Sequence, residues 1–254
     1  MQDIHGDLEV GKLDNGKDII INDLVGWLRE KVESAKAQGL VFGLSGGIDS
    51  AVLAGISKLA FPDNSLAIIM PCHSDPVDEE HGILVAESLN IEYTKVDLSQ
   101  SYDSLLNSFK ISKTNKMAQA NLKPRLRMTT LYYFAQSYNY LVAGATNRSE
   151  LTIGYFTKHG DSGVDLLPLA SFVKSEIKSM ARLLKIPDII INKAPSAGLW
   201  TNQTDEEEMG FSYEILDSYI LTSRGEGQVY EKIERMKESS SHKREYPSIF
   251  HINK

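Results

Sequence analysis

Apolar residues fall along this chain in two rhythms, one of helical spacing and one of short unbroken runs. Over 18–38, Ile20, Leu24, Trp27, Leu28 and Val32 recur near every third or fourth position, which predicts an amphipathic helix. Leu40, Val41 and Phe42 form a brief apolar run of the kind a buried strand shows, and residues 51–60 return to a helix. A second apolar run covers 66–70 and stops at Pro71. Asp75 followed by Pro76 is a helix start signal, the acid as N-cap and the proline in first helical position, for a helix to about Leu89. Residues 91–96 alternate as a third strand, helices follow at about 99–109 and 116–138, and 140–144 reads as a fourth strand.

Alternation of strand and helix predicts an α/β fold, a parallel sheet flanked by helices on both faces. Beyond it, 171–254 reads as mostly helical, at about 171–185, 205–223 and 227–240, with Thr204 and Glu207 spaced as a capping box. The expected organisation is a single domain over 1–254, with the α/β core at about 18–170 and a helical C-terminal region at 171–254. Ligands of such sheets sit beyond the carboxyl ends of the strands. The stretches 45–50, 71–75 and whatever follows Gly144 should therefore meet at one rim. Residues 195–203 lack periodicity and carry Gly198 and Trp200, which predicts a mobile loop.

Composition narrows the class. Apolar residues at 42% and charged residues at 24% are ordinary for a globular protein, and no apolar run reaches the roughly 20 residues that span a bilayer. The N-terminus, with Asp3, Asp7 and Glu9, has no leader pattern, and a lone Cys72 makes neither an internal disulfide nor a thiolate metal cage. These features lead us to expect a cytoplasmic protein with no membrane partner. A net charge of −7, from 27 basic and 34 acidic residues, argues against an extended nucleic-acid surface.

The chemistry starts at residues 43–50, Gly-Leu-Ser-Gly-Gly-Ile-Asp-Ser, between the first strand and its helix. A strand that breaks through glycines into a helix exposes backbone N–H groups where the dipole favours an anion. Ser45 and Ser50 can add hydroxyl donors. A Walker A loop would need a Lys-Ser/Thr pair, which is missing. Asp49 stands in the turn instead, and an acid beside an anion site calls for a divalent cation between them. The octet resembles the pyrophosphate-binding loop of the N-type ATP pyrophosphatases, whose fold is Rossmann-like (adenine nucleotide alpha hydrolase-like). Those enzymes cleave ATP between the α and β phosphates and adenylate a substrate oxygen.

A second constellation lies at 144–168, where Arg148, Glu150, Lys158, His159, Asp161 and Asp165 crowd a glycine-rich stretch. Polar residues this dense seldom build a core. Gly-Tyr-Phe-Thr-Lys-His-Gly-Asp at 154–161, followed by Asp-Leu-Leu-Pro at 165–168, resembles the signature of the ammonia-dependent NAD synthetases. Similarity continues through 121–128, 169–174, 195–198 and 242–244, in the family's order.

This resemblance implies ATP-dependent amidation of deamido-NAD by ammonia, giving NAD, AMP and pyrophosphate through an acyl-adenylate, in a homodimer. It places ATP on Gly43, Leu44, Ser45, Gly46, Gly47, Ile48, Asp49, Ser50, Lys174 and Ser196, and magnesium on Asp49 and Glu150. Deamido-NAD is implied to meet Arg125, Lys158, Asp165, His242 and Lys243. Of Arg125 and Arg127, which point different ways on a helix, the family pattern favours Arg125. Asp49, Asp161 and Lys174 are the implied catalytic set, with Asp161 near the incoming ammonia. The 195–204 loop and the His242–Lys243 tail are expected to order around substrate. Two departures stand out: Ala145 where the family commonly has Thr, with Thr146 beside it, and Ile69 where some relatives carry Arg. A GMP-synthetase-like amidotransferase and a non-catalytic nucleotide sensor are the alternatives on the same scaffold.

Overall fold

The structure is a computed structural model that describes residues 17–111, 115–196, 198, 204–250 and 252. The acidic N-terminus and most of the 195–203 segment, Trp200 included, lie outside the described residues.

Four strands, β1 (Gly39–Gly43), β2 (Ser65–Ile69), β3 (Glu92–Lys95) and β4 (Tyr140–Val142), form one parallel sheet in the order β3-β2-β1-β4. Successive side chains of a strand point to opposite faces, and β1 shows it. Leu40 and Phe42 enter the larger core with α1 (Lys17–Ser34), α2 (Ile48–Ala60) and α8 (Lys174–Leu183). Val41 enters the opposite core with Leu131 and Ala135 of α6 (Leu122–Tyr138). Helices therefore cover both faces, as the alternation predicts. Strand β3 is the exception: three of its four residues are exposed, as an edge strand permits. A third apolar cluster joins Ile153 to Met209, Phe211, Tyr213, Leu216 and Ile233, and it fastens the C-terminal helices to the core.

The order of strands fixes the site. The chain runs outward from β1 through β2 to β3, then crosses back to place β4 on the other side of β1. The loops after β1 and β4 diverge at this switch point, which leaves a crevice at the carboxyl edge.

Helix boundaries depart from the periodicity where local chemistry overrides it. Asp75 caps α3 (Pro76–Ser88) as expected, its carboxylate 3.0 Å from the N–H of Val77. The predicted 116–138 helix is broken at Asn121 into α5 (Lys116–Ala120) and α6. The predicted 205–223 helix is broken by Gly210, in the left-handed region at φ 76°, into α10 (Asp205–Met209) and α11 (Tyr213–Thr222). Thr204 does precede α10, yet its side chain makes no capping bond, and the first N–H of the helix, that of Asp205, goes to the carbonyl of Pro195. Short helices α7 (Arg148–Ile153) and α9 (Asp188–Ile191) were too brief for a periodic signal, and α12 (Gln228–Ser239) ends the regular helices before a 3-10 turn at Ser241–Lys243.

Leu53 is fully buried on α2 beneath the sheet. Truncation to alanine leaves a cavity there, so Leu53→Ala should cost about 2–5 kcal/mol in urea unfolding. A loss below about 1 kcal/mol would contradict this packing.

Candidate active site

Strand β1 runs into the loop at 44–47 and then α2, whose N-cap Gly47 has no side chain to satisfy the first turn. The free N–H groups and the dipole of a 13-residue helix are thus presented to an anion. Ser45 and Ser50 brace the crest from within, their hydroxyls 3.0 Å apart, while the Ser50 hydroxyl donates to the carbonyl of Gly47 at 2.9 Å. Gly46 sits at φ +74°, and a Cβ there would fall 2.4 Å from the carbonyl oxygen of Asp78. Only glycine lets the crest pass so close under α3.

The loop after β4 supplies the second half. Asn147 caps α7, and Glu150, three residues on, returns its carboxylate to the N–H of Asn147 at 3.3 Å, a full capping box. This box aims Glu150 inward. The buried Asn147 amide also donates to the Asp49 carboxylate at 2.8 Å, which locks the two loops together.

Between the acids stands the ammonium of Lys174, 2.6 Å from Asp49 and 3.4 Å from Glu150. Lys174 is only 2% exposed and also lies 4.7 Å from the ring centre of Tyr213. Burial alone would pull its pKa down, but Asp49 and Glu150 outweigh burial and hold it above the ordinary lysine value. Burial, reinforced by Asp49 and opposed by Lys174, pushes the Glu150 carboxyl up to about 8. A third acid, the buried Asp205, accepts from the hydroxyls of Tyr213 at 2.9 Å and Tyr155 at 3.2 Å. Its pKa is raised by burial against the pull of Lys174. Both tyrosine hydroxyls are held far above their ordinary range, by burial first and then by Glu150 or Asp205, so they stay donors.

Whether this set suits a metal is a matter of donors and charge. Among the described residues no cluster of three His, Cys, Asp or Glu is arranged to hold an ion. Two carboxylates do converge on one cation position, now filled by Lys174. That suits an ion such as magnesium, which takes few protein carboxylates and completes its shell with phosphate and water.

A cavity of about 930 Å³ opens from this crest. Gly43, Leu44, Ser45, Gly47, Ile48, Asp49 and Ser50 line it, with Glu150, Lys174 and Ser196. Gly46 is buried behind the crest. Thr146 lines it beside Ala145, and Ile69 adds to an apolar wall with Ile68 and Met70. Arg125, Lys158, Asp161, His242 and Lys243 line the other end.

Several of these are already engaged. The Arg125 guanidinium donates to the carbonyl of Lys158 at 3.3 Å, and the Lys158 ammonium to that of His242 at 2.5 Å. Lys243 donates to the carbonyls of Gly154 and Phe156 at 2.7 and 3.0 Å, so the tail is latched to the 154–158 stretch in this structure rather than loose. Asp161 accepts from the N–H of Thr157 at 2.8 Å, and burial raises its pKa against that bond and the pull of Lys243. Asp161 lines the cavity and is exposed as a residue, so water in the cavity moderates that rise.

Asp165 is not brought to the cavity wall. It accepts from the N–H of Val142 at 2.8 Å and the hydroxyl of Tyr132 at 3.0 Å, on the outer side of α6. Both arginines of α6 line the cavity. Arg127 donates to the Met70 carbonyl at 3.1 Å and the Ser74 hydroxyl at 3.2 Å and forms no ion pair among the described residues. Asn147, Asp205 and Tyr213 were missed from sequence, while Arg127 was weighed there and set aside in favour of Arg125. The Asn147-to-Glu150 spacing was a readable signal; Asp205 and Tyr213 carried none.

Parallel sheet, uncapped glycine crest and paired acids at the switch point define a nucleotide-phosphate-binding α/β protein. Residues 20–247 match the pattern of the NAD synthase family. The NH(3)-dependent NAD(+) synthetase of Carboxydothermus hydrogenoformans is 54% identical over 89% of this chain and 94% of its own. That of Finegoldia magna is 50% identical over 92% and 97%. Among solved structures, the NMN synthetase of Francisella tularensis matches with a TM-score of 0.90 at 36% identity, over 94% of this chain and all of that one. The NH3-dependent NAD synthetase of Campylobacter jejuni matches with 0.78 at 28% over the same shares. The chain belongs to the NAD synthase family, as the signature at 154–168 implied, and is a ligase that uses ATP to form a C–N bond. This sets aside the GMP-synthetase-like and sensor readings.

The raised Glu150 pKa has a measurable sign. Between the unfolded value near 4.3 and about 8, the folded protein holds a proton the unfolded chain has lost. That stability is complete below the lower value and is lost as pH rises through the upper one. Urea midpoints without magnesium should fall between pH 5 and 8.5, and Glu150→Gln should flatten the fall. Equal slopes in the two proteins would contradict the assignment.

Proposed function

We propose that the chain amidates deamido-NAD with ammonia at the expense of ATP, giving NAD, AMP and pyrophosphate. The observation that carries this reading is the convergence of Asp49 and Glu150, from separate loops, on one cation position at the mouth of the glycine crest. Family membership supports the overall reaction.

The first step joins a carboxylate oxygen of the nicotinate ring to the α-phosphorus and breaks its bond to the bridging oxygen, releasing pyrophosphate. The N–H groups of the crest and the Ser45 and Ser50 hydroxyls hold the departing phosphates. Asp49 and Glu150 would hold magnesium, which when bound neutralises charge on the phosphate oxygens. That ion and the Lys174 ammonium compete for the same pair of carboxylates, so Lys174, once displaced, is available to a phosphate oxygen, as is Ser196. In the second step ammonia attacks the acyl carbon, the bond to AMP breaks, and one proton must leave the nitrogen. Asp161, which lines the cavity, would take it, and a carboxyl with a raised pKa is suited to that task. Arg125, Lys158, His242 and Lys243 would bind the dinucleotide by exchanging their present carbonyl partners for its phosphates and hydroxyls.

Asp165 fits the same reading in a homodimer. It shares the outer side of α6 with the exposed Tyr132, Tyr133 and Tyr138, where a second copy could complete the dinucleotide site. No helix among the described residues is long and apolar enough to cross a membrane, and we place the reaction in the cytoplasm.

A second reading replaces the dinucleotide with nicotinate mononucleotide, and the close match to the F. tularensis NMN synthetase favours it. One assay separates the two: purified protein with ATP, magnesium, ammonium and either acid, following NAD or NMN. We expect NAD to form faster. Asp49→Ala should lower magnesium-dependent pyrophosphate release by about 100- to 1,000-fold. Turnover at the wild-type rate would remove Asp49 from the reaction, and faster NMN formation would favour the second reading.

A further inference from the structure

Asp217 lies on α11 and is not among the residues that line the cavity, and only 5% of it is exposed. Among the described residues it forms no ion pair. A buried carboxylate without a cation is costly unless every oxygen is hydrogen-bonded, and the partners of Asp217 are specific. One oxygen accepts from the Ser149 hydroxyl at 2.6 Å and the N–H of Lys174 at 3.3 Å. The other accepts from the N–H of Ser175 at 2.8 Å. The Lys174 N–H also reaches the Ser149 hydroxyl at 3.2 Å.

These donors are the first turn of α8, whose own N-cap, Val173, has no hydroxyl or carboxylate to offer. Asp217 therefore caps α8 from a different helix, and its charge is matched by the positive end of the α8 dipole. Its third donor, Ser149, is the residue before Glu150 on α7. One carboxylate thus ties together the backbone that carries Lys174 and the backbone that carries Glu150.

We infer that Asp217 is a positioning residue for the ATP half of the reaction: it sets the spacing at which Lys174 meets Glu150 and Asp49. The inference rests on the proposed role of those three side chains. A neutral cap would suffice to start a helix. One oxygen spans both helices and the other holds the Ser175 N–H; asparagine keeps only one of these acceptors and turns a donor N–H₂ toward a donor, the Ser175 N–H if its oxygen keeps the Ser149 and Lys174 bonds.

Asp217→Asn, Asp217→Ala and Ser149→Ala test this, with Leu216→Ala as a control that removes packing from the same helix. All are compared where circular dichroism shows them folded. Asp217→Asn should lower kcat/KM for ATP about 10- to 100-fold while KM for deamido-NAD stays within twofold. Ser149→Ala should shift the same parameter by less, and it decides the matter if the Asp217 variants do not fold. Calorimetric binding of ATP should weaken in parallel. That arm is independent of turnover, so a wild type that binds ATP yet makes no NAD would count against the proposed reaction and not against Asp217. Unchanged ATP affinity and kinetics in Asp217→Asn and Ser149→Ala would overturn the inference. So would an equal loss in Leu216→Ala.

Discussion

Two carboxyl groups held close together in a recess shielded from water need a cation or a retained proton, and much of this molecule is arranged around that need. Asp49 comes from the helix after β1 and Glu150 from the helix after β4. Here Lys174 supplies the positive charge, from a third element and almost wholly buried. Asn147 ties the acids' loops together, while Tyr213 and Asp205 close the far side. The result is a pocket with more acidic groups than basic ones, next to helix N–H groups that attract an anion. In the function we propose, a nucleotide tail and a divalent ion would satisfy both at once.

The scaffold delivers these groups through its strand order. Because β4 returns to the side of β1 opposite β2, the two loops that bear the acids part at one point of the sheet edge. The C-terminal helices serve the same centre. They contribute Lys174, Asp205 and Tyr213, and Asp217 caps the helix on which Lys174 sits. Their apolar cluster with Ile153 holds them to α7, so the helical region is part of the site's wall.

What the sequence made legible divides along the range of the interactions. The octet at 43–50 could be read because a strand, a glycine break and a helix are consecutive, and their geometry is local. Asp75 with Pro76 was legible for the same reason. Thr204 with Glu207 was just as good a local signal and failed: Thr204 precedes the helix but its side chain makes no capping bond. Asn147 and Glu150 form the box that Thr204 does not, yet α7 has only six residues, too few to show a period. Lys174 was placed by resemblance, but its position between the two acids depends on contacts with residues far away in the chain. Asp205, Tyr213 and Asp217 act only through such contacts, and no spacing announces them. Asp165 illustrates the converse. It lies within a stretch dense in polar groups, yet its side chain turns outward to Tyr132 and the backbone of β4.

We propose that Lys174 stands where magnesium would sit when nucleotide is present, so that the two would exclude one another. Calorimetric titration of magnesium into the nucleotide-free protein and its Lys174→Met variant tests this without any turnover. Removing the ammonium should strengthen magnesium binding at least tenfold, even as it weakens binding of ATP. Magnesium affinity unchanged or reduced in Lys174→Met would contradict the account.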